Sequence, residues 1–217
     1  VLYNKFVIGL KNDLSIDIAM HIGSLLAVIL LVSKPLKEHV SKVLVKNGVS
    51  KSFFFLALAT FPLVFIALFL EYARFLDLSR QVEIIAFSNL IFALLLFVSD
   101  RKPSQRKSLD ITARDILVIG IWQSFAAFPG TSRSGASITG ARFLNYGRKE
   151  AIIISAILSI PAIVISSGYI GFKFFRSPNE IEIEFIMYAT IFSFICSYLA
   201  LKFFVKFGEL FSFTPYV

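Results

Sequence analysis

Residues 129–140 read Pro-Gly-Thr-Ser-Arg-Ser-Gly-Ala-Ser-Ile-Thr-Gly, a run of small and hydroxyl residues around one arginine. Backbone N–H groups, hydroxyls and a guanidinium together are what a phosphate oxyanion needs. Gly130 and Gly135 allow unusual backbone angles and close approach of a ligand. Arg133 offers a fixed, bidentate charge. Ser132, Ser134, Ser137 and Thr139 offer hydroxyls. Ser134 or Ser137 is placed to cap a helix starting near Ala136, which would turn free N–H groups and the positive end of the helix dipole toward the loop.

Other polar residues stand apart from this loop. Asp17 and His21 are four apart, on one helix face, and read equally well as a proton-handling pair or as an interfacial pair near a helix start. Gln123 is an uncharged polar residue in an apolar run, where desolvation is costly, and is expected to hydrogen-bond the loop. Asp110 precedes the same run as a cap, or less readily as a site carboxylate. Trp122 and the phenylalanines read as packing or lipid-facing residues.

The surroundings of the loop set its meaning. The chain has 217 residues, 57% hydrophobic, 25 of them Phe, and a mean hydropathy of +0.78. Ordinary soluble domains are roughly 45–50% apolar, so the composition is that of a polytopic membrane protein. Five runs approach the roughly 20 apolar residues needed to span a bilayer: 15–32, 52–70, 82–98, 151–172 and 185–205. Pro62 and Pro161 lie inside two of them, which membrane helices tolerate. A sixth apolar stretch, 116–128, is too short to cross. It runs into Pro129-Gly130 and is followed by a second short stretch, 136–144. Short helix, loop and short helix form a re-entrant hairpin, here over 116–144. An arginine at mid-bilayer costs about 2.5–3.5 kcal/mol, so Arg133 is expected to line a site.

Charge distribution supports this topology. The net charge of +8 is concentrated in segments 33–51, 100–115 and 142–150, whereas 71–81 and 173–184 are balanced or acidic. If 116–144 dips in and returns, every basic segment is cytoplasmic, as the positive-inside rule requires. If it crossed, two basic segments would face opposite sides. The clustering also argues against nucleic acid as a partner. Cys196 stands alone, so no disulfide framework or cysteine metal site can form within the chain. The chain contains no Walker-A loop, dinucleotide fingerprint or paired-histidine zinc motif, and no Gly-x-Ser-x-Gly elbow. An ATP-driven transporter and a soluble-type hydrolase are thereby disfavoured.

The stretch Pro129-Gly130-Thr131-Ser132-Arg133-Ser134-Gly135-Ala136-Ser137 closely resembles the second signature of the undecaprenyl-pyrophosphate phosphatases, also called bacitracin-resistance proteins, Pro-Gly-x-Ser-Arg-Ser-Gly-Ala-Thr. Gln123, the run from Asp17 to Val28 and the closing Ser212-Phe213-Thr214-Pro215-Tyr216 also look like family elements in order.

The resemblance implies an all-α, polytopic membrane phosphatase with five spanning helices and a re-entrant helix–loop–helix, part of an inverted repeat. It would convert undecaprenyl diphosphate to undecaprenyl phosphate in the bacterial inner membrane, recycling the carrier for peptidoglycan synthesis and conferring bacitracin resistance. Arg133 and Ser132 would be the catalytic residues: Arg133 would bind and neutralise the diphosphate, and Ser132 would supply a hydrogen bond or, less readily, attack. Gly130, Thr131, Ser134, Gly135 and Ser137 would bind phosphate, with Ser137 in the family's threonine position. A divalent cation, Mg or Ca, is implied, with no ligands identifiable in this chain. A prenyl diphosphate lipid, membrane lipids and a second copy in a homodimer are the expected partners. The family's first signature and last helix have no match within the chain, which reads as a fragment, inactive alone. The competing class is a transporter or flippase for a phosphorylated lipid, since broken helices aimed at an anion also build carriers.

Overall fold

A computed structural model describes residues 14–47, 49–73, 82–106, 111–176 and 183–214. Their regular elements are all helical. In chain order they are α1 (Leu14–Asn47), α2 (Val49–Tyr72), α3 (Val82–Asp100), α4 (Ala113–Ser124), a 3₁₀ turn (Phe125–Ala127), α5 (Arg133–Phe143), α6 (Arg148–Arg176) and α7 (Ile183–Leu210). Five of these are long and apolar enough to cross a bilayer, over Ile16–Ser33, Phe54–Tyr72, Val82–Asp100, Arg148–Phe172 and Ile186–Leu210. They match the five expected runs within a few residues. Helices α2 and α6 continue through Pro62 and Pro161.

The charge pattern reads the basic segment after the first span as a cytoplasmic loop, but most of it is helical, because α1 continues to Asn47. Its lysines, leucines and valines are compatible with continuing the helix, and no glycine interrupts them before Gly48.

The exposed surface is that of a protein solvated by lipid. Phe54, Phe61, Phe87, Phe192 and Phe203 are each more than 60% exposed, while Thr60, Gln123, Thr139 and Arg142 are buried. A soluble domain would reverse this distribution. Apolar side chains face hydrocarbon, and the polar groups are satisfied, or held ready, within the protein.

The chain divides into two compact units. The first comprises residues up to Leu31 and Ile163–Leu201. Within it, the Ser193 hydroxyl donates to the Met20 carbonyl at 2.8 Å, joining α7 to α1. The second comprises Val32–Ala162 and Lys202–Val217 and contains the hairpin.

In the second unit α4, the 3₁₀ turn and α5 form a helical hairpin packed against α2 and α3. Gly120 lets α4 reach α2, since a β-carbon there would lie 2.4 Å from the Ala59 carbonyl oxygen. Trp122 stacks on Phe143 across the hairpin, with ring centroids 5.3 Å apart, so it is a packing residue. The apolar floor is made by Ile116, Ile119, Ile138, Tyr146, Ile152, Leu158 and Phe213.

The hairpin closes where it began. The Arg106 N–H donates to the Asn145 carbonyl and the Gly147 N–H to the Arg106 carbonyl, both at 3.0 Å. Asn145 takes a left-handed backbone, φ 63°, which asparagine tolerates, to make the turn. Two charged clusters fasten this closure. In one, Asp115 accepts both arms of the Arg106 guanidinium at 3.0 and 2.8 Å, and the Tyr146 hydroxyl at 2.8 Å. The Thr112 N–H and hydroxyl complete its shell. Burial raises the Asp115 carboxyl, but the hydrogen bonds from Arg106, Thr112 and Tyr146 outweigh it and hold the group well below the usual carboxylate range.

In the other cluster Arg142 is buried and donates to the carbonyls of Asp100 and Lys102 and to the Ser104 hydroxyl. The Asp100 carboxylate accepts from Arg148 at 2.7 and 3.1 Å and from the Phe213 N–H at 2.9 Å. Arg142 therefore belongs to the interior and not to a solvated basic segment. The cap of α4 is Thr112, in a capping box with Asp115, and not Asp110. Asp110 itself lies outside the described residues, so its reading as a site carboxylate has no structural counterpart here.

Candidate functional site

The tip of the hairpin is built by a tight turn and a helix start. The Thr131 N–H donates to the Phe128 carbonyl at 3.2 Å, closing a turn over Pro129 and Gly130. Pro129 supplies its fixed φ at the second position, and Gly130 supplies φ +89° at the third, the demands of a type II turn. A β-carbon on Gly130 would also stand 2.3 Å from the Ile85 carbonyl oxygen on α3. This glycine serves the turn and its seat against α3 at once.

Ser132 then caps α5, its oxygen accepting the Gly135 N–H at 3.2 Å. The sequence points instead to Ser134 or Ser137 as the cap. The helix starts earlier, at Arg133, because Ser132 keeps an extended backbone, ψ 123°, that points its oxygen at the third following N–H. Helix geometry leaves the N–H groups of Arg133 and Ser134 without intrahelical partners. The Ser132 and Ser134 hydroxyls lie 3.2 Å apart and both residues are exposed. The first turn of α5 thus presents two hydroxyls and free N–H groups on one surface.

Unpartnered buried atoms distinguish this tip from a structural turn. One guanidinium nitrogen of Arg133, Nη1, is buried without a hydrogen-bond partner, and so is the Thr131 hydroxyl. Gln123 is fully buried with both amide atoms unpartnered. Buried polar atoms are normally satisfied, and each orphan costs about 1–3 kcal/mol, more if charged. Here arginine, threonine and glutamine all belong to one short hairpin. The set is rich in donors and positive in charge, so it fits an oxyanion.

Ser137 departs from its expected role. It is buried, and its hydroxyl lies 3.0 Å from the Arg133 carbonyl, 3.1 Å from the Ser134 carbonyl and 2.7 Å from the Ser155 hydroxyl on α6. That hydroxyl is occupied inside the fold and does not face the open side of the loop.

Asp17 and His21 are held differently from the pair read in the sequence. The His21 Nδ1–H donates to the Asp17 carbonyl at 2.7 Å, and not to its carboxylate. Ser24 donates in turn to the His21 carbonyl at 3.0 Å. Both residues belong to the first unit and the hairpin to the second. Among the described residues no three His, Cys, Asp or Glu side chains gather as metal ligands. The residues that sequence reasoning missed are Ser155, Asp100 and Asp115. A serine in an apolar helix and aspartates flanking a basic segment are ordinary in sequence, and the partners of Ser155 and Asp100, with Tyr146 for Asp115, lie 18 or more residues away.

Comparison with known proteins places the whole chain in one family. The family model described as bacitracin resistance protein BacA matches residues 1–217. An undecaprenyl-diphosphatase of Dinoroseobacter shibae is 35% identical over 209 residues, covering 93% of this chain and 78% of its own length. One from a Jannaschia species is 34% identical over 210 residues, covering 94% and 79%. One from Saccharophagus degradans is 36% identical over 210 residues, covering 92% and 78%.

Proposed function

The chain belongs to the bacitracin resistance protein BacA family, and from that premise we propose how its hairpin serves the reaction. The protein is a multi-pass membrane hydrolase, an undecaprenyl-diphosphatase, that converts undecaprenyl diphosphate to undecaprenyl phosphate and inorganic phosphate. In doing so it returns the lipid carrier to peptidoglycan synthesis and confers bacitracin resistance. Its place is the bacterial inner membrane, with the closed base of the hairpin at the cytoplasmic face and the tip within the bilayer. A homodimer is compatible with this reading.

Hydrolysis adds water oxygen to the terminal phosphorus and breaks its bond to the bridging oxygen. Undecaprenyl phosphate leaves, and the terminal group departs as inorganic phosphate. The barrier lies mainly in positioning and in charge on the phosphoryl oxygens. Arg133 neutralises that charge through its unpartnered Nη1, and the free N–H groups of Arg133 and Ser134 donate to the same oxygens. Thr131 and Ser134 add hydroxyl donors. Gly130 and Gly135 keep the backbone close. Ser132 both caps the helix and retains a hydroxyl proton to donate. Ser132 is therefore assigned as a hydrogen-bond donor beside Arg133. Gln123 on α4 does not make the hydrogen bond to the loop that its position suggests; both of its buried amide atoms lack a partner and are left to serve the anion.

A divalent cation, Mg or Ca, remains an expectation of family likeness. The described residues form no ligand set for it; the hairpin supplies the anion-binding half of the site.

The observation that carries this assignment is a half-buried arginine at the hairpin tip with an orphan nitrogen. The test is phosphate release from a prenyl diphosphate by the full-length protein in detergent, with liposome uptake measured in parallel. Arg133→Ala should lower release by at least about 10²-fold, the range seen when one oxyanion donor is removed. Arg133→Lys should recover little, because the bidentate fork is lost. Undiminished release by Arg133→Ala would overturn the assignment. Substrate uptake without phosphate release would move the protein to the transporter class.

A further inference from the structure

We propose that Ser155 on α6 is a positioning residue that sets the first turn of α5 through the Ser137 hydroxyl. The proposal rests on the assignment of Arg133 to the phosphate.

The hydroxyl protons can be counted. Ser137 has one proton and three oxygen neighbours: the Arg133 carbonyl at 3.0 Å, the Ser134 carbonyl at 3.1 Å and the Ser155 hydroxyl at 2.7 Å. The two carbonyls only accept. The proton of Ser137 is directed at the backbone carbonyls of its own helix, and the 2.7 Å contact with the Ser155 hydroxyl, in which either oxygen can donate, ties that serine to α6. Both serines are buried, so water does not substitute for either.

A serine that bonds back to its own helix bends that helix slightly. The two carbonyls involved belong to Arg133 and Ser134, the residues that carry the guanidinium and the free N–H groups. Ser155 fixes the Ser137 rotamer from a different helix. In this way α6 sets the pitch of the turn that faces the phosphate. The expected loss on removing it is in rate more than in binding. A transition state is sensitive to donor placement, and a misplacement of about 1 Å costs up to 10²-fold.

Ser159, one turn later on the same helix, provides the control. It is equally buried, but its hydroxyl returns to the Ala156 carbonyl of its own helix at 2.7 Å. Truncating either serine costs α6 a buried hydroxyl, yet only Ser155 reaches α5.

The experiment measures kcat and KM for a prenyl diphosphate in the full-length protein, with inorganic phosphate as competing ligand and thermal unfolding in detergent alongside. Ser155→Ala should lower kcat about tenfold or more, with KM and phosphate inhibition changed less than about threefold. Ser159→Ala should keep its kcat. Ser137→Ala with Ser155→Ala should be no slower than Ser137→Ala alone, because the two act through one hydrogen bond. Unchanged kcat in Ser155→Ala, equal losses in Ser155→Ala and Ser159→Ala, or additive losses in the double variant would each overturn the proposal. Arg133→Ala separates the two levels. If it stays active the site assignment itself fails. If it is inactive while Ser155→Ala is normal, only the role of Ser155 fails.

Discussion

Arg142 and Asp100 meet inside the base of the hairpin: the guanidinium donates to the Asp100 carbonyl at 2.9 Å and lies 3.6 Å from its carboxylate. Each is also bound by others, Arg142 by Lys102 and Ser104, Asp100 by Arg148 and Phe213. This cluster joins the end of α3, the end of α5, the start of α6 and the residues after α7. Removing Asp100 takes the nearest carboxylate from the buried Arg142 guanidinium, at a cost of about 3–5 kcal/mol; removing Arg142 leaves Asp100 paired with Arg148 but strips the carbonyls of Asp100 and Lys102 of their donor. Arg142→Ala and Asp100→Ala should each lower the unfolding temperature in detergent sharply. Arg142→Lys should recover little, since one ammonium cannot serve carbonyls in several directions. Unfolding temperatures like wild type in Arg142→Ala would mean that the cluster is dispensable.

Gly130 should be intolerant of a side chain for two reasons that act together. Its φ of +89° is strained for alanine, by about 1–3 kcal/mol, and the new β-carbon would press on Ile85. Gly130→Ala should therefore reduce both stability and phosphate release. Gly168→Ala is the matched opposite: it lies within α6, where a β-carbon would meet nothing within 4 Å. There alanine should stabilise by about 0.5–1 kcal/mol. Equal effects of the two substitutions on unfolding would contradict this account.

Sidedness gives a test of the membrane topology. Single cysteines at Lys102 and Lys149 should react with an impermeant thiol reagent only after the cytoplasmic face is opened. A cysteine at Tyr72, 89% exposed at the end of α2, should react in intact cells. These experiments need Cys196 replaced first, because it is exposed. Opposite sidedness for positions 102 and 149 would mean that the hairpin crosses the bilayer.

Asp115 ties stability to acidity. Its folded carboxyl titrates below the usual value, so the folded state holds the charged form more firmly than the unfolded chain does. The sign follows: this stabilisation is complete above the ordinary carboxylate value of about 4 and fades as pH falls below it. The unfolding temperature should be steady from neutrality to about pH 5 and then decline. Asp115→Asn should be less stable at neutrality and show a shallower acid decline. An identical pH profile in the two proteins would remove Asp115 from the account.

The sequence and the structure differ in instructive places. The five spans were legible because each is a continuous apolar run, and span length is set by the bilayer. The hairpin was legible because two short runs flank Pro129-Gly130. The helix start was misplaced because Ser132, Ser134 and Ser137 are all capable caps. Only backbone angles choose among them. Arg142 counts in the sequence as one member of the basic segment 142–150, because a cluster of cations looks alike whether or not one member is buried. The carbonyls that bury it come from residues 100 and 102, some forty positions away. Thr112 was passed over for Asp110 because an aspartate is the more familiar cap, while the Glu-like partner, Asp115, is an unusual choice. Ser155 carried no signal, since a serine in an apolar helix most often bonds to its own backbone, as Ser159 does.

The hairpin's return to its starting point also has an electrical consequence. Helix α5 has 11 residues, a rise of roughly 16 Å, which places Arg133 about halfway across a hydrocarbon core of roughly 30 Å. If the base lies at the cytoplasm, as proposed above, a diphosphate reaching the loop from the outer side would move partway through a field that is negative inside. Each negative charge carried half that distance is opposed by about 1 kcal/mol per 100 mV. In proteoliposomes with an imposed potential, KM for the diphosphate should rise as the interior becomes more negative, and a KM indifferent to potential would place the loop outside the field. An energised membrane would then hold the enzyme back, and a failing membrane potential would release it.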